Sequence, residues 1–340
     1  METLCQYGYD HKGNLFRLGV AGLSFALALC ASACRSRELV RIAVIPQTEG
    51  SHWDPTHTGA EAAAGRTGAF IYWNAPTRAD DVEAQIALVE RVVDDNYQGL
   101  VLAPIQPLSL ISPVRHALAR GIPTVIIGTP LYIPPGGNLF YLLNDDAEGG
   151  QIAAQRVAEQ LKNHGTVAVL GINPDVTATL IRARSFEMFL AQNSPGIRIV
   201  GKRMGSFNVR HEQQAAEDVL RANPGLDAIV ALTSATVTGT LYAIETAQEK
   251  HAVKVIGFDT GRMRALERKT DLDCVIQEDT LAMGQQAIEL IHARRLGQSV
   301  PAMVHLHPKL ITRDNLNTPE VRQMLSLDWK FGHWRWSSTQ

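Results

Sequence analysis

The segment Thr48–Gly59 (TEGSHWDPTHTG) concentrates side chains that coordinate metals, exchange protons or stack on rings. It follows an apolar run, Val40–Ile45, that predicts a buried strand, and it precedes an alanine-rich run, 60–64, that predicts a helix. Connections between a strand and a helix are usually short. An exposed tryptophan in such a loop, Trp53, therefore needs a functional explanation.

Metal coordination is one chemistry that these residue types permit. His52, Asp54 and His57 are close in sequence, and His305 and His307 alternate on a late strand, where they would share one face. A zinc site needs three or four converging ligands with supporting hydrogen bonds. Because the first two histidines lie in a proline-bearing loop whose spacing fits no common helical motif, we predict no metal site.

The sequence contains no recognisable set of catalytic residues. The chain contains no nucleophile elbow, no GxxxxGK[ST] loop and no HExxH motif. Past residue 34 the only cysteine is Cys274, in an apolar run, so we predict a small buried side chain and no internal disulfide. The sequence thus predicts a protein that is not an enzyme and binds no cofactor.

Composition excludes a further class. The 340 residues carry 32 lysines and arginines against 34 aspartates and glutamates, without acidic or basic blocks. This balance lacks the basic footprint of a nucleic-acid-binding protein. Hydrophobic residues make up 45% of the chain, enough for the cores of one large domain or two ordinary ones.

The N-terminal segment, 1–34, has the layout of a secretory signal. A basic start precedes an apolar run, 18–30, that is too short to span a bilayer, and small residues follow it. The next residue, Cys34, completes a segment that resembles the lipobox of bacterial lipoproteins. We predict lipidation at Cys34 and an exported protein, anchored by lipid in the periplasm or cell envelope; ordinary cleavage near Ala33 is the alternative.

After the signal, apolar runs alternate with helical patterns. The predicted strands are Val40–Ile45, Ala69–Trp73, Gly99–Ala103, Pro123–Gly128, Leu139–Leu143, Thr166–Gly171, Ile197–Met204, Leu226–Leu232, Val253–Phe258 and Asp271–Gln277. The predicted helices include Asp80–Asn96, Ala147–Lys162, Thr177–Gln192, Val209–Ala222, Ala235–Gln248 and Thr280–Arg295.

This alternation predicts an α/β fold with parallel sheets and helices on both faces. Because ten strands are too many for one sheet of the commonest size, we expect two similar doubly wound lobes joined by a short hinge near 144–146. Ligands bind beyond the carboxyl ends of such strands. Polar segments follow there at 48–59, 128–130 and 259–261.

Seven segments in order resemble the type I periplasmic binding proteins, the ribose- and galactose-type sugar receptors that share their core with LacI repressors. They are HWDPTHTGAEAAA, GLVLAPIQP, RGIPTVIIG, LNDDAEGGQIAA, TLIRARSFEMFL, VKVIGFDTG and VIQEDTLAMGQQA. The resemblance covers about Leu39–Asn315. It implies a multi-strand hinge, an N-terminal lobe of 38–144 plus 279–304, and a C-terminal lobe of 145–278 plus 305–324.

The resemblance also implies a binding site. Trp53, with His52 beside it, would stack on a sugar ring; Arg182 would clamp two hydroxyls, and Asp259 would accept from others. The alternatives are a core tryptophan, a surface arginine and a helix-capping aspartate.

Several positions depart from the family pattern. Gly128 and Thr129 replace an Asp-Arg pair, Thr233 and Ser234 replace Asn-Asp, and either Gln277 or Glu278 fills the place of a ligand-binding glutamine. Because sites built for particular hydroxyls reject analogues strongly, we do not expect specificity for ribose or galactose.

By resemblance, the chain is a monomeric solute-binding lipoprotein of an ABC importer, closing on a sugar or polyol by hinge motion and docking on permease subunits. Two alternatives stay open: a receptor that signals to a chemoreceptor or sensor kinase, and a structural lipoprotein that binds nothing. DNA binding is disfavoured because a signal occupies the place of the repressors' helix-turn-helix. The tryptophan-rich tail, 325–340, packs on one lobe or contacts a partner or membrane.

Overall fold

The computed structural model describes residues 39–78, 80–247, 252–259, 264–267 and 271–325. The predicted signal with Cys34, and the tail beyond Leu325, lie outside the described residues. Within the described part, no helix combines the length and apolar character needed to cross a membrane.

Sheet 1 contains six strands that all run parallel. The strands are β1 (Val40–Ile45), β2 (Ala69–Trp73), β3 (Gly99–Leu102), β4 (Thr124–Ile127), β5 (Leu139–Asn144) and β11 (Met303–Leu306). Their spatial order is β11-β5-β4-β3-β1-β2.

Sheet 2 also contains six strands, namely β6 (Gly165–Ile172), β7 (Ile197–Met204), β8 (Ala228–Ala231), β9 (Lys254–Phe258), β10 (Leu272–Gln277) and β12 (Lys309–Thr312). Their spatial order is β12-β10-β9-β8-β6-β7. Among them only the edge strand β12 pairs antiparallel, with β10. The prediction of two doubly wound lobes is confirmed, and we call the lobes built on the two sheets lobe 1 and lobe 2.

Helices cover both faces of each sheet. They are α1 (Asp54–Thr67), α2 (Val82–Asp94), α3 (Ile111–Ala119), α4 (Asp146–Gln160), α5 (Thr177–Asn193), α6 (Val209–Ala222), α7 (Ser234–Ala247), α8 (Arg264–Glu267), α9 (Thr280–Arg295) and α10 (Pro319–Leu325). Aspartates cap three of them: the Oδ1 atoms of Asp81, Asp145 and Asp279 each accept from a backbone N–H at 2.9 Å.

Helix α1 begins earlier than the sequence pattern suggested. The segment expected to be a loop up to Gly59 is helical from Asp54, after a short 3-10 turn over Ser51–Trp53. Pro55 lies in the first turn, where a missing N–H costs nothing and the fixed φ favours the helix. The proline that indicated a loop is thus a helix-start residue.

The chain crosses between the lobes three times. It leaves β5 of sheet 1 for α4 at 144–146, leaves β10 of sheet 2 for α9 at 277–279, and passes from β11 back to β12 at 306–309. Because β11 pairs with β5 through Leu306, the last crossing follows Leu306, whereas the sequence analysis placed it at 304/305. The first two crossings leave the carboxyl ends of their sheets, so those ends border the hinge.

Glycines let the crossing helices approach their neighbours closely. A Cβ on Gly59 would lie 2.0 Å from Leu281 O, and one on Gly284 would lie 1.9 Å from Thr56 O, so α9 packs tightly on α1 in lobe 1. In lobe 2, a Cβ on Gly150 of α4 would lie 2.3 Å from Arg182 O of α5. The start of α4, including Asp146, is thereby held against the turn of α5 that carries Arg182.

Candidate functional site

Three carboxylates surround one guanidinium at the hinge side of lobe 2. Arg182 Nε donates to Asp146 Oδ1 at 2.7 Å, and Nη1 donates to Asp259 Oδ2 at 2.8 Å and to Leu232 O at 3.1 Å. Nη2 donates to Glu278. We call Arg182, Asp146, Asp259 and Glu278 the carboxylate cluster.

Arg182 is buried at the base of this cluster. Four of the five N–H donors of a guanidinium are engaged by the contacts above, and its carbon lies 4.6 Å from the ring centroid of Phe258. Burial opposes its charge, but Asp259, Glu278 and Asp146 outweigh that effect and raise the pKa of Arg182. The predicted surface-helix alternative does not apply, because the side chain is only 6% exposed.

Asp259 follows β9 and links two parts of the cluster. Its Oδ2 atom accepts from Arg182, while its Oδ1 atom accepts from Glu278 N at 2.9 Å. Its backbone adopts φ +45°, in the left-handed region that non-glycine residues rarely occupy. Backbone strain of this kind is common at functional sites.

Glu278, not Gln277, contributes a side chain to the cluster. Gln277 is half-buried and its Nε2 donates to Glu278 O at 3.2 Å. Burial, reinforced by the charge of Asp259 and opposed by Arg182, raises the pKa of Glu278 to about 8. Burial also raises the pKa of Asp146 against the effect of Arg182. Ionising Glu278 and Asp146 inside the cluster is therefore less favourable than ionising them in water.

Thr233 and Ser234 follow β8 and form the turn into α7. Thr233 Oγ1 lies 2.8 Å from Thr236 Oγ1 and accepts from Thr236 N at 3.2 Å, and Ser234 is exposed. Thr236 Oγ1 in turn donates to Glu212 Oε2 at 2.9 Å. Glu212 is completely buried, so the β8 turn is fixed by a carboxylate that sequence reasoning read as part of an ordinary helix.

Glu212 also positions an aromatic residue that sequence reasoning missed. Its Oε1 atom accepts from Ser206 N at 2.6 Å, directly before Phe207 in the segment that follows β7. Phe207 is 53% exposed and has φ +57°. An exposed ring on a strained backbone, next to the carboxyl ends of sheet 2, is a candidate stacking surface. The available signal was an isolated aromatic in a Gly-Ser-Phe-Asn turn.

The predicted lobe 1 residues lie at the carboxyl ends of β1 and β4. Trp53, expected to be an exposed indole, is 6% exposed and packs in the lobe 1 core, because the start of α1 folds it inward. Its ring lies 4.0 Å from where a Cβ of Gly128 would sit, next to half-buried Thr129. His52 is exposed and meets the Trp53 ring edge-on at 5.3 Å.

The histidines considered as metal ligands are dispersed. His57 stacks on Trp73 at 4.2 Å, and His307 lies beyond the end of β11, so it does not share that strand with His305. Among the described residues, Asp145, Glu148 and His307 do bring ligand atoms within 4.8 Å of one another. Helix capping by Asp145 and the 2.5 Å contact of His307 Nδ1 with Glu148, which raises the pKa of His307, account for this group.

Comparison with known proteins adds a family match. The model of the periplasmic binding protein domain matches residues 42–299, which covers both lobes and the first two hinge crossings. Because the match spans most of the chain, it concerns the whole two-lobe fold.

Among curated relatives, the ribose import binding protein of Bacillus subtilis is 25% identical over 233 residues, or 67% of this chain and 74% of that protein. The D-ribose/D-allose-binding protein of Pseudomonas aeruginosa is 25% identical over 190 residues, which span 53% of this chain and 57% of that protein. A solved ABC transporter solute binding protein from Agrobacterium vitis, bound with α-D-tagatopyranose, superposes with a TM-score of 0.73 at 25% identity, covering 84% of this chain and 98% of that one.

Proposed function

The chain belongs to the periplasmic binding protein domain family, and from this premise we propose that it is an exported solute receptor that binds a sugar or sugar-like polyol between its lobes. The carboxylate cluster at the carboxyl ends of sheet 2 carries the proposal. Carboxylates accept charge-assisted hydrogen bonds from hydroxyls, and Phe207 offers apolar area to the C–H face of a ring. The sugars named for the relatives and for the bound solved structure support this class of ligand.

The proposed ligand contacts come from both lobes. From lobe 2 they are Asp259, Glu278 in place of Gln277, Thr233, Ser234 and Phe207, with Arg182 holding the acids in position. From lobe 1 they are His52 and Thr129, since Trp53 is buried in the lobe 1 core. Binding in a cleft between two lobes is coupled to hinge closure.

The hinge geometry supports closure around this site. Asp146 lies on the first crossing and Glu278 on the second, and both contact Arg182. A ligand that bonds these acids therefore touches two of the three segments that must bend when the lobes close.

We further propose that the receptor serves an ABC importer as a monomer, attached to a membrane through a lipid on Cys34. Metabolic labelling with an alkyne fatty acid tests the anchor. Labelling of the wild-type chain that is lost in Cys34→Ala supports it, and equal labelling of both chains overturns it.

Thermal melting of the full-length chain tests the ligand class. The chain is unfolded and refolded to remove copurified solute, then melted with pentoses, hexoses, inositols and nucleosides. A ligand at a hundredfold excess over Kd stabilises the native state by about 2.7 kcal/mol. A shift that Asp259→Asn abolishes and exposed Asp218→Asn preserves supports the proposal. No shift with any sugar or polyol overturns it.

A further inference from the structure

The acids are the more exposed members of the carboxylate cluster. Arg182 retains 6% side-chain exposure, whereas Asp146, Asp259 and Glu278 retain 16%, 15% and 16%. The guanidinium has committed its Nε and both of its Nη atoms to protein acceptors. A ligand that arrives from solvent therefore meets carboxylate oxygens, while the positive charge lies beneath them.

The cluster also carries more negative than positive charge. With all three carboxylates ionised, the single guanidinium leaves a formal charge of −2, and with one of them protonated the charge is still −1. The described segments after β6 to β10, namely 173–176, 205–208, 232–234, 259 and 278–279, contain no lysine or arginine. In lobe 1, Arg78 follows β2 but pairs with Asp80 at 3.0 Å.

We propose that the ligand carries a protonated amine, as an amino sugar or an amino polyol does. This inference rests on the proposed function and narrows its ligand class. An ammonium brings three donors and the missing positive charge to an edge that presents carboxylate oxygens. A neutral hydroxyl supplies one donor and leaves the excess charge uncompensated.

The raised pKa of Glu278 agrees with this excess of negative charge. Burial raises it most, the charges of Asp259 and Asp146 add to that effect, and Arg182 opposes them. A bound cation would lower that pKa, because it favours the ionised carboxylate. The amine thus supplies a positive charge in place of a proton on Glu278.

Matched ligand pairs test the inference on the full-length, solute-stripped chain. Calorimetric titration at pH 6.5 compares D-glucose with D-glucosamine, D-galactose with D-galactosamine, and D-sorbitol with 1-amino-1-deoxy-D-sorbitol. N-acetylated forms of the two amino sugars control for bulk without charge. We expect at least one amine to bind ten or more times more tightly than both its hydroxyl and its N-acetyl counterpart. Glu278→Gln removes one carboxylate while keeping its shape, so that preference should fall several-fold in this variant.

Each outcome is decisive. If the neutral members bind as tightly as their amines, the inference that the ligand carries an amine is wrong. The proposal of a sugar receptor is then unaffected. No binding by any of the three amines overturns the inference, whereas the proposed function is decided separately by the wider melting panel. If Glu278→Gln keeps the full preference, Asp146→Asn is titrated next, and a preference that survives both changes also overturns the inference.

Discussion

Arg182 Nε lies 2.7 Å from Asp146 Oδ1, which joins α5 of lobe 2 to the first residue of α4, where the chain has just crossed from lobe 1. The same guanidinium contacts Glu278, where the chain is about to cross back. One buried cation thus holds two hinge segments that are far apart in sequence. Arg182 therefore has a structural role that does not depend on ligand binding.

Replacing Arg182 with methionine should destabilise the fold strongly. The change leaves three carboxylates without their cation, and breaking a buried ion pair costs about 3–5 kcal/mol. The loss should shrink at low pH, where the acids become protonated. Urea unfolding at pH 7 and pH 5 measures it. Arg184→Met, on an exposed position of the same helix, should change stability by less than about 0.5 kcal/mol. A loss for Arg182→Met below about 1 kcal/mol would contradict the assignment.

Glu278 should impose a pH dependence on stability. Its pKa of about 8 in the fold exceeds its ordinary 4.5, so between these values the folded chain binds more protons than the unfolded chain. Stability therefore falls as pH rises through this window, by at most about 1.4 kcal/mol per pH unit for one proton. Glu278→Gln leaves the other ionisable groups of the chain in place, so the difference between wild type and Glu278→Gln isolates Glu278. The measurement is the free energy of unfolding of both chains from pH 5 to 8. The same change with pH in the two chains would refute this prediction.

A methyl group on Gly150 should separate α4 from α5. The new Cβ would lie 2.3 Å from Arg182 O and 2.9 Å from Ser185 Cβ. Overpacking of this kind costs about 1–3 kcal/mol. Gly65→Ala in α1 is the matched control, because nothing lies within 4 Å of its Cβ, and it should stabilise the chain by about 0.5–1 kcal/mol. The same sign for both changes in thermal melting would count against close helix contact.

Glu212→Ala should loosen the turns after β7 and β8. It removes the acceptor for Ser206 N and Thr236 Oγ1 in a fully buried place, so we expect a loss of about 2–4 kcal/mol. Asp218→Ala, exposed on the same helix, should stay within about 0.5 kcal/mol. Chemical denaturation decides, and equal effects of the two changes would disprove the anchoring role.

Substitutions at Phe207 and Trp53 should distinguish effects on ligand binding from effects on stability. Phe207→Ala removes an exposed ring, so stability should change by less than about 0.5 kcal/mol while ligand affinity falls roughly tenfold or more. Trp53→Ala opens the lobe 1 core and should cost about 3–5 kcal/mol. Melting with and without the best ligand of the panel measures both. Undiminished binding by Phe207→Ala would remove it from the site.

The strands were the most predictable part of the fold. Runs such as Val40–Ile45 and Ile197–Met204 are found with the predicted bounds, because continuous apolar runs between turn residues have few alternatives in a two-faced parallel sheet. The start of α1 was missed because Pro55 serves equally in loops and in first helical turns. The strand β12 is antiparallel, which no local pattern reveals.

The site was partly predictable. Arg182 and Asp259 were named from resemblance and do meet, but the choice between Gln277 and Glu278 depended on where the strand ends, to the residue. Glu212 and Phe207 carried no periodic signal. Their roles arise from tertiary contacts between segments that follow different strands.

The three crossings also have a consequence for how the chain acquires its structure. Lobe 1 is completed by α9 and β11, which come after every parallel strand of lobe 2. Until residues near Gly284 have been synthesised, the α1 backbone at Thr56 lacks its packing partner. Contacts across such sequence separations slow folding. Lobe 1, whose first strands are made first, therefore completes its core only after most of lobe 2 has been synthesised.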